Sequence, residues 1–158
     1  MGFLSRLDIP MSGMMAERLR ADVIAQNIAN ANTTRTAEGG PYRRQLTVMA
    51  ENKPYANIDT SKNIPFGSVL ALTMKERMMK KMAGVQVVEI AVDETPFTPV
   101  YDPTHPDSDE NGYYYKPNVD LAEEQMDMMA ATRSWEANNA IYEGLMSLSQ
   151  KALTIGRG

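Results

Sequence analysis

The side chains of this chain that are best suited to chemistry lie in one acidic loop. The segment Asp107–Gly112 carries oxygen-bearing side chains at its first, third and fifth positions and glycine at its sixth, as calcium-binding helix-loop-helix loops do. The match ends at the twelfth position, where Asn118 follows Pro117 and supplies no bidentate carboxylate. The loop is therefore more typical of an acidic turn. Calcium binding by residues 107–112, in a small regulatory protein, is kept as the alternative to the function that the rest of the sequence indicates.

A second candidate centre is His105, the only histidine of the chain. Its local partners are Asp102 and Asp107, which could orient an imidazole that acts as a base or a metal ligand. A histidine that lies between two prolines is, however, more typical of a loop residue bonded to the backbone. We expect no chemistry at this position.

Three carboxylates near the start of the last predicted helix form another titratable cluster: Glu123, Glu124 and Asp127. Their spacing would suit paired acid–base groups, but acids in the first turns of a helix are expected to complement its dipole. The chain contains no cysteine, which excludes thiolate catalysis, disulfides and cysteine-based zinc sites. The sequence thus predicts a protein that is not an enzyme and has no catalytic residue, cofactor or metal.

The composition of the 158 residues narrows the class of partner. A net charge of −4 provides no basic surface for nucleic acid, and no apolar run approaches the ~20 residues that span a bilayer. The first residues lack the charged and apolar regions of a cleaved secretory signal. The basic, methionine-rich stretch 74–82 leaves open a third function, a membrane-surface adaptor, although a surface helix or loop is the plainer interpretation.

The elements that must position these residues begin with two apolar stripes near the chain ends. Each stripe repeats every seven residues, through Leu7, Met14, Ala21 and Ile28 in one and through Leu121, Met128, Trp135 and Tyr142 in the other. Such a repeat keeps a narrow seam facing a partner helix. The pattern predicts one helix from about Asp8 to residues 30–34, and another from Asn118 or Asp120 to about Ile155. A weaker alternative starts the first helix before Leu4 and kinks it at Pro10.

The segment between the stripes predicts little regular structure. Alternating residues favour strands over 42–49 and 85–93, and a brief strand is expected over 113–115. A short basic helix is expected over 68–83, a loop over 50–66, and a mostly extended loop over the proline-rich segment 95–117. The fold class is therefore mainly α with a small β insert. Its parts are an N-terminal helix (1–34), a loop and β-rich insert (35–117), and a C-terminal helix (118–158) paired with the first in a coiled-coil-like hairpin.

Five amides lie in or beside the two apolar stripes: Asn27, Asn30, Asn32, Asn138 and Asn139. Amides at such positions lower stability and fix the register of a helix pair. Their alternative interpretation is exposure to solvent near the helix ends. We favour a role in register or in bonding between subunits.

Two stretches resemble the terminal signatures of the flagellar rod, hook and hook-associated axial proteins. The first is Asp22–Thr33. The second begins at Asn118–Leu121 and continues through Arg133–Trp135, where the family usually has tyrosine in place of tryptophan. Segments 40–44, 84–85, 96–97, 101–107 and 111–113 narrow the resemblance to the proximal rod subunits of that family, with no motif over 54–82.

The resemblance implies a structural subunit of the flagellar basal-body rod, assembled helically into a drive shaft that transmits torque. It also implies that the chain lies in the cell envelope and is exported by the flagellar type III apparatus without a cleaved signal. The implied partners are copies of itself, proximal and distal rod proteins and the adaptor at the rod base, with no nucleic acid and no direct insertion into a membrane.

Two groups of residues are expected to form the contacts between subunits. The assembly seam consists of Met14, Ala21, Ile24, Asn27, Ile28, Asn30, Leu121, Met128, Ala131, Arg133, Trp135, Asn138, Tyr142 and Leu145. The inter-subunit loop consists of Pro41, Tyr42, Arg43, Arg44, Tyr101, Asp102, Pro103, His105 and Pro106. The role of residues 50–83 is not predicted.

Overall fold

The computed structural model describes residues 3–37, 39–52 and 84–156. The elements in chain order are α1 (Phe3–Ala29), β1 (Gln45–Asn52), β2 (Gly84–Val92), β3 (Thr98–Tyr101), β4 (Tyr113–Lys116) and α2 (Leu121–Ile155). Two long terminal helices with a small β segment between them confirm the predicted fold class. The basic stretch 74–82, the predicted helix over 68–83 and most of the predicted loop over 50–66 lie outside the described residues.

The predicted start of the first helix near Asp8 is wrong. Helix α1 already begins at Phe3 and contains Pro10. This start agrees with the weaker alternative, which placed the start of the helix before Leu4. Pro10 removes one hydrogen bond from a helix interior, but its ring is buried, and this burial offsets the loss. The Ser12 hydroxyl donates to the Ile9 carbonyl oxygen at 2.7 Å, which satisfies a carbonyl beside the proline.

Polar side chains cap the C-terminal end of α1 and the N-terminal end of α2. After α1 ends at Ala29, the side-chain amide of Asn30 donates to the Gln26 carbonyl oxygen at 2.9 Å. At the start of α2, the Asp120 carboxylate accepts the backbone N–H of Ala122 at 2.8 Å and so acts as the N-cap. The last helix was predicted to begin at Asn118 or Asp120 and to end at about Ile155. It spans Leu121–Ile155, which confirms its end and agrees with the later of the two starts to within a residue.

Four strands form two small sheets. Strands β1 and β2 pair in one, and β3 and β4 pair antiparallel in the other, with Thr98 opposite Lys116 and Tyr101 opposite Tyr113. The strand predicted over 42–49 begins three residues later, at Gln45. Strand β3 was predicted as loop because it contains Pro99, and a two-stranded sheet tolerates proline since each of its strands is an edge.

The chain divides into two compact units. The first unit combines Met1–Ala16, Met49–Gln86 and Ser134–Gly158, and the second combines Glu17–Val48 with Val87–Arg133. Each helix contributes residues to both units. Our division into 1–34, 35–117 and 118–158 follows the elements instead, and it stays a prediction.

Candidate assembly surface

Asn27 is the centre of a buried polar cluster in the second unit. Its side chain is 1% exposed. The amide nitrogen donates to the Gln45 carbonyl oxygen at 2.9 Å and to Glu124 Oε2 at 3.0 Å. The amide oxygen accepts the Gln45 N–H and the Tyr42 hydroxyl, each at 3.0 Å. An asparagine side chain has two donors and two acceptor positions, so Asn27 is fully satisfied inside one chain.

Arg44, which is half-buried, and Glu124, which is buried, form an ion pair next to Asn27. Arg44 Nε donates to Glu124 Oε1 at 2.6 Å, and the carboxylate side chain is 1% exposed. The other guanidinium nitrogens lie 3.2 Å from Glu123 Oε1 and 3.4 Å from Asp127 Oδ2. Burial on its own would lower the pKa of Arg44, but the hydrogen bond and the charge of Glu124, helped by Glu123, raise it above its ordinary value. The guanidinium therefore stays charged in the folded chain.

Asn118 extends this cluster to the segment that follows β2. Its Oδ1 accepts the backbone N–H of Arg44 at 2.8 Å, and its amide nitrogen donates to the Asp93 carbonyl oxygen and to Thr95 Oγ1, each at 3.2 Å. We call Asn27, Tyr42, Arg44, Asn118 and Glu124 the polar cluster. The cluster joins the end of α1, the approach to β1, residues 93–95 and the start of α2.

The role predicted for the three acids near the start of α2 is incomplete. Glu123 and Glu124 do lie in the first turn, but Glu124 points to Arg44 and Asn27 and is buried. Asp127 accepts from Arg20 of α1 at 3.0 Å. A sequence signal was present, since Glu124, Ala131 and Asn138 lie seven residues apart, three positions after the repeat that starts at Leu121. Glu124 and Ala131 are the buried residues of α2.

The acidic loop is held by contacts within the chain. Asp107 Oδ2 accepts the Thr34 hydroxyl at 2.7 Å, and the His105 ring stacks on Tyr114 with centroids 4.1 Å apart. Asn118, the twelfth position of the calcium pattern, is engaged in the polar cluster. Among the described residues, no three or more histidine, cysteine or acidic side chains form a group that could hold a metal ion. No finding supports the calcium-binding alternative.

Hydrogen bonds and rings order the rest of this loop. The Asp102 carboxylate accepts the N–H and the hydroxyl of Thr104, and these hydrogen bonds lower the pKa of Asp102. Tyr101 and Tyr113 meet edge to face at 5.1 Å. Gly112 has a φ of +77°, and a Cβ there would lie 3.0 Å from the Tyr101 ring, so the turn requires glycine.

The predicted inter-subunit loop residues fall into two groups in the second unit. Tyr42, Arg44, Pro41, Asp102 and His105 are half-buried, whereas Arg43, Tyr101, Pro103 and Pro106 are exposed. Tyr42 and Arg44 bond within the chain, and Arg43 lies over the Phe97 ring with Cζ 4.4 Å from the centroid. Contacts of these residues with neighbouring subunits stay a prediction.

In the first unit, the glycines Gly13 and Gly84 allow parts of the chain to pack closely against each other. A Cβ on Gly13 of α1 would lie 2.8 Å from Asn138 Nδ2 of α2, so glycine lets the helices meet there. The Ser12 hydroxyl accepts the Val85 N–H at 3.1 Å. Gly84 has a φ of +142°, and a Cβ there would clash with Ser12 Oγ. Sequence analysis had assigned no role to Ser12 or Gly13.

The predicted seam residues range from fully buried to exposed. Ile24, Asn27 and Ala131 are buried. Met14, Ala21, Ile28, Asn30, Met128, Asn138, Tyr142 and Leu145 are half-buried, and Leu121, Arg133 and Trp135 are exposed. Trp135 keeps 40% of its surface exposed in the single chain. A large aromatic ring left half open on a helix is typical of a surface that binds another protein.

Both helices and both strands of the first sheet expose further large apolar residues. On α2, Met126, Ile141 and Leu148 are each more than half exposed, and on β2 Val88 and Val92 are too. Exposed apolar area of this extent marks an interaction surface. None of the helices in the described part of the chain is long and apolar enough to cross a membrane.

Comparisons with known proteins identify relatives of both helices and of the whole chain. A family model described as "Flagella basal body rod protein" matches residues 7–35, and one described as "Flagellar basal body rod FlgEFG protein C-terminal" matches residues 110–155. Curated proteins named "Flagellar basal-body rod protein FlgC" are similar along the whole chain. The protein from Borreliella burgdorferi is 39% identical with 100% of both chains covered, that from Bacillus subtilis 37% with 96% of both, and that from Salmonella typhimurium 31% with 99% of this chain and 100% of its own.

Proposed function

Because the chain belongs to the FlgC family of flagellar basal-body rod proteins, we propose that copies of it pack through the exposed faces of α1 and α2 and so build a shaft that transmits torque. The subunit is a structural component of the rod and not an enzyme. It assembles with itself and with other rod proteins. The contribution of each helix face to those contacts is the part that we propose.

The observation that carries the proposal is the apolar surface that α2 leaves open. Leu148 is 60% exposed, Ile141 55% and Leu153 68%, and all three lie in the part of α2 that belongs to the first unit. Burying apolar area contributes roughly 25 cal/mol per Å². A neighbouring helix that covered these side chains would therefore stabilise the assembly, whereas an isolated chain leaves them in water.

The polar cluster supports the mechanical part of the proposal. A shaft transmits torque only if its subunits resist deformation, and the cluster joins four segments of the second unit through bonds that leave Asn27 no free donor or acceptor. Fully satisfied buried polar networks rigidify a core. We assign the cluster this stiffening role and assign contact with neighbours to the exposed helix faces.

We also propose that the flagellar type III apparatus exports the chain and that its first helix is retained. Support comes from α1 itself, since Ser12 binds Val85 and Gly13 lies against Asn138, contacts that removal of a leader would delete. Mass spectrometry of the chain recovered from purified basal bodies tests this proposal. Peptides that cover Ser12 and Gly13 are expected, and a mature chain that begins after them would refute it.

A charge placed on the open face of α2 tests the packing proposal. Leu148→Asp should leave the circular dichroism of the isolated chain unchanged, since the side chain is already in water. It should nevertheless remove the chain from purified basal bodies and abolish swimming. Ala37→Asp, in an exposed loop of the second unit, is the matched control and should assemble. Normal rods with Leu148→Asp would overturn the role of this face.

A further inference from the structure

Two exposed charges of opposite sign lie on the outer faces of the helices in the second unit. Asp22 is exposed on α1, and Arg133 is exposed on α2. Among the described residues, neither side chain forms an ion pair or a hydrogen bond. Arg18 of α1 is exposed as well, whereas Arg20 and Asp127 are paired at 3.0 Å. Asp22 and Arg133 are therefore available to a partner outside the chain.

The exposed residues within one heptad of each charge complement each other in size. Beyond Asp22, the exposed face of α1 continues with Ala25 and Ala29. Before Arg133, the exposed face of α2 carries Met129, 54% exposed, and Met126, 60% exposed. Each face spans about 10.5 Å between its charge and its last residue, at 1.5 Å per residue. One face thus offers a charge with small side chains, and the other offers the opposite charge with long, adaptable ones.

The direction of the two helices decides how such faces can meet. Within the second unit, Arg20 binds Asp127 and the later Asn27 binds the earlier Glu124, so the helix segments run antiparallel. Copies that repeat with one polarity keep this relation between α1 of one copy and α2 of the next. An antiparallel approach that pairs Asp22 with Arg133 brings Ala29 opposite Met126 and Ala25 within one residue of Met129.

We propose that the α1 face of one copy docks on the α2 face of the next through the pair Asp22–Arg133, with the methionines seated over the alanines. This inference rests on the proposed function, since it names the contact by which copies pack. The contact joins two different faces, so repetition extends a helical assembly and does not close a dimer. The partner that binds each face is a second copy of this chain.

The neighbouring charge on α1 fixes the register of this contact. Arg18 is exposed one helical turn before Asp22. A shift of one turn would bring Arg18 opposite Arg133, and like charges at an interface are strongly unfavourable. The register that joins Asp22 to Arg133 places opposite charges together instead. The charge pattern therefore favours this alignment of the apolar residues over one that is shifted by a turn.

Charge reversal with rescue tests the pair. Asp22→Arg and Arg133→Asp should each lower the amount of this chain in purified basal bodies by about tenfold or more, since each replaces attraction by like-charge repulsion. The double variant should restore incorporation and swimming. Glu110→Arg changes the net charge as Asp22→Arg does, in an exposed loop, and should assemble normally. Normal assembly of either single variant, or a double variant no better than the singles, overturns the proposal.

Cysteine cross-linking identifies the occupant directly, because the chain has no cysteine of its own. Cells that express Asp22→Cys and Arg133→Cys on separate copies should yield a disulfide-linked dimer from oxidised basal bodies, and neither variant alone should. A cross-link to a different protein only, or none although both variants are in the rod, refutes this pairing while the rod function stands. Absence of the unaltered chain from basal bodies would instead refute the proposed function.

Discussion

The two ends of α2 are built on different principles. Its first part, up to Arg133, contains the buried Glu124 and Ala131, each 1% exposed. Within the described residues 134–156 none is buried, and Leu153 and Ile155 are 68% and 81% exposed. One end is fixed by a polar cluster inside the chain, and the other presents apolar side chains to solvent.

This difference separates what a single chain must hold from what an assembly must add. The Arg44–Glu124 ion pair is engaged within the chain, and removal of one member leaves an uncompensated charge. Exposed apolar side chains contribute little to the lone chain and gain when a neighbour covers them. Substitutions in the two parts should therefore fail in different experiments, the first in unfolding and the second in assembly.

The largest effect on the isolated chain is expected from Arg44→Ala. The substitution leaves the Glu124 carboxylate buried without its cation, and breaking a buried pair in this way is expected to lower the free energy of unfolding by about 3–5 kcal/mol. Urea unfolding followed by circular dichroism measures the change.

Arg43→Ala is the matched control for Arg44→Ala. Arg43 is exposed and lies over the Phe97 ring, a contact that contributes about 0.5–1 kcal/mol at an exposed site. Equal losses for the two variants would contradict the contrast drawn here, because they would mean that the Arg44–Glu124 pair holds no more than a surface contact does.

Trp135→Ala should show the opposite behaviour to Arg44→Ala. We expect a small effect on the free energy of unfolding and a large effect on assembly. The ring is 40% exposed in the single chain, and a tryptophan that becomes buried at an interface is expected to contribute about 2 kcal/mol or more to each contact. The variant should fold, fail to enter basal bodies and abolish swimming. Trp135→Tyr should keep most of the buried area and largely preserve both.

His105→Ala is the control for Trp135→Ala. The imidazole stacks on Tyr114 within its own loop, and no chemistry is assigned to it, so swimming should be nearly intact. A swimming Trp135→Ala strain, or a non-swimming His105→Ala strain that still folds, would place the important contact in the loop and not on the helix.

Much of the fold could be predicted because its signals are local. The seven-residue repeat predicted α2, with a start one to three residues before the observed Leu121, and Asn-Gly before Tyr113 indicated β4. Strand β3 could not be predicted, since a strand with Pro99 becomes recognisable only from its partner. The start of α1 was predicted too late because Pro10 was assigned to the first turn of the helix. The burial of its ring, which stabilises a proline in the helix interior, depends on the fold and cannot be predicted from the sequence.

The polar cluster could not be predicted from spacing. Arg44 and Glu124 lie 80 positions apart, and nothing in either neighbourhood indicates that one will neutralise the other. Asn27 was selected for its place in the first stripe, yet its partners were not. The sequence indicated that an amide there would be costly if unsatisfied, and only the fold shows that Gln45, Tyr42 and Glu124 satisfy it.

The smallest predicted effect belongs to Tyr42→Phe, which removes a single hydrogen bond from the cluster. Asn27 Oδ1 loses the hydroxyl but keeps the Gln45 N–H, so the free energy of unfolding should fall by about 1 kcal/mol at neutral pH.

Burial, and then the charge of Glu124, raise the pKa of Tyr42. The folded chain therefore favours the neutral phenol, and this contribution is complete below the unfolded pKa of about 10 and is lost as the pH rises through the folded value. Urea unfolding at neutral and alkaline pH should show the advantage of the unaltered chain over Tyr42→Phe shrinking above about pH 10, whereas Tyr115→Phe, at an exposed position of β4, should leave unfolding at neutral pH unchanged. A constant advantage across that range would mean that burial and the charge of Glu124 do not raise the pKa of Tyr42 in the folded chain.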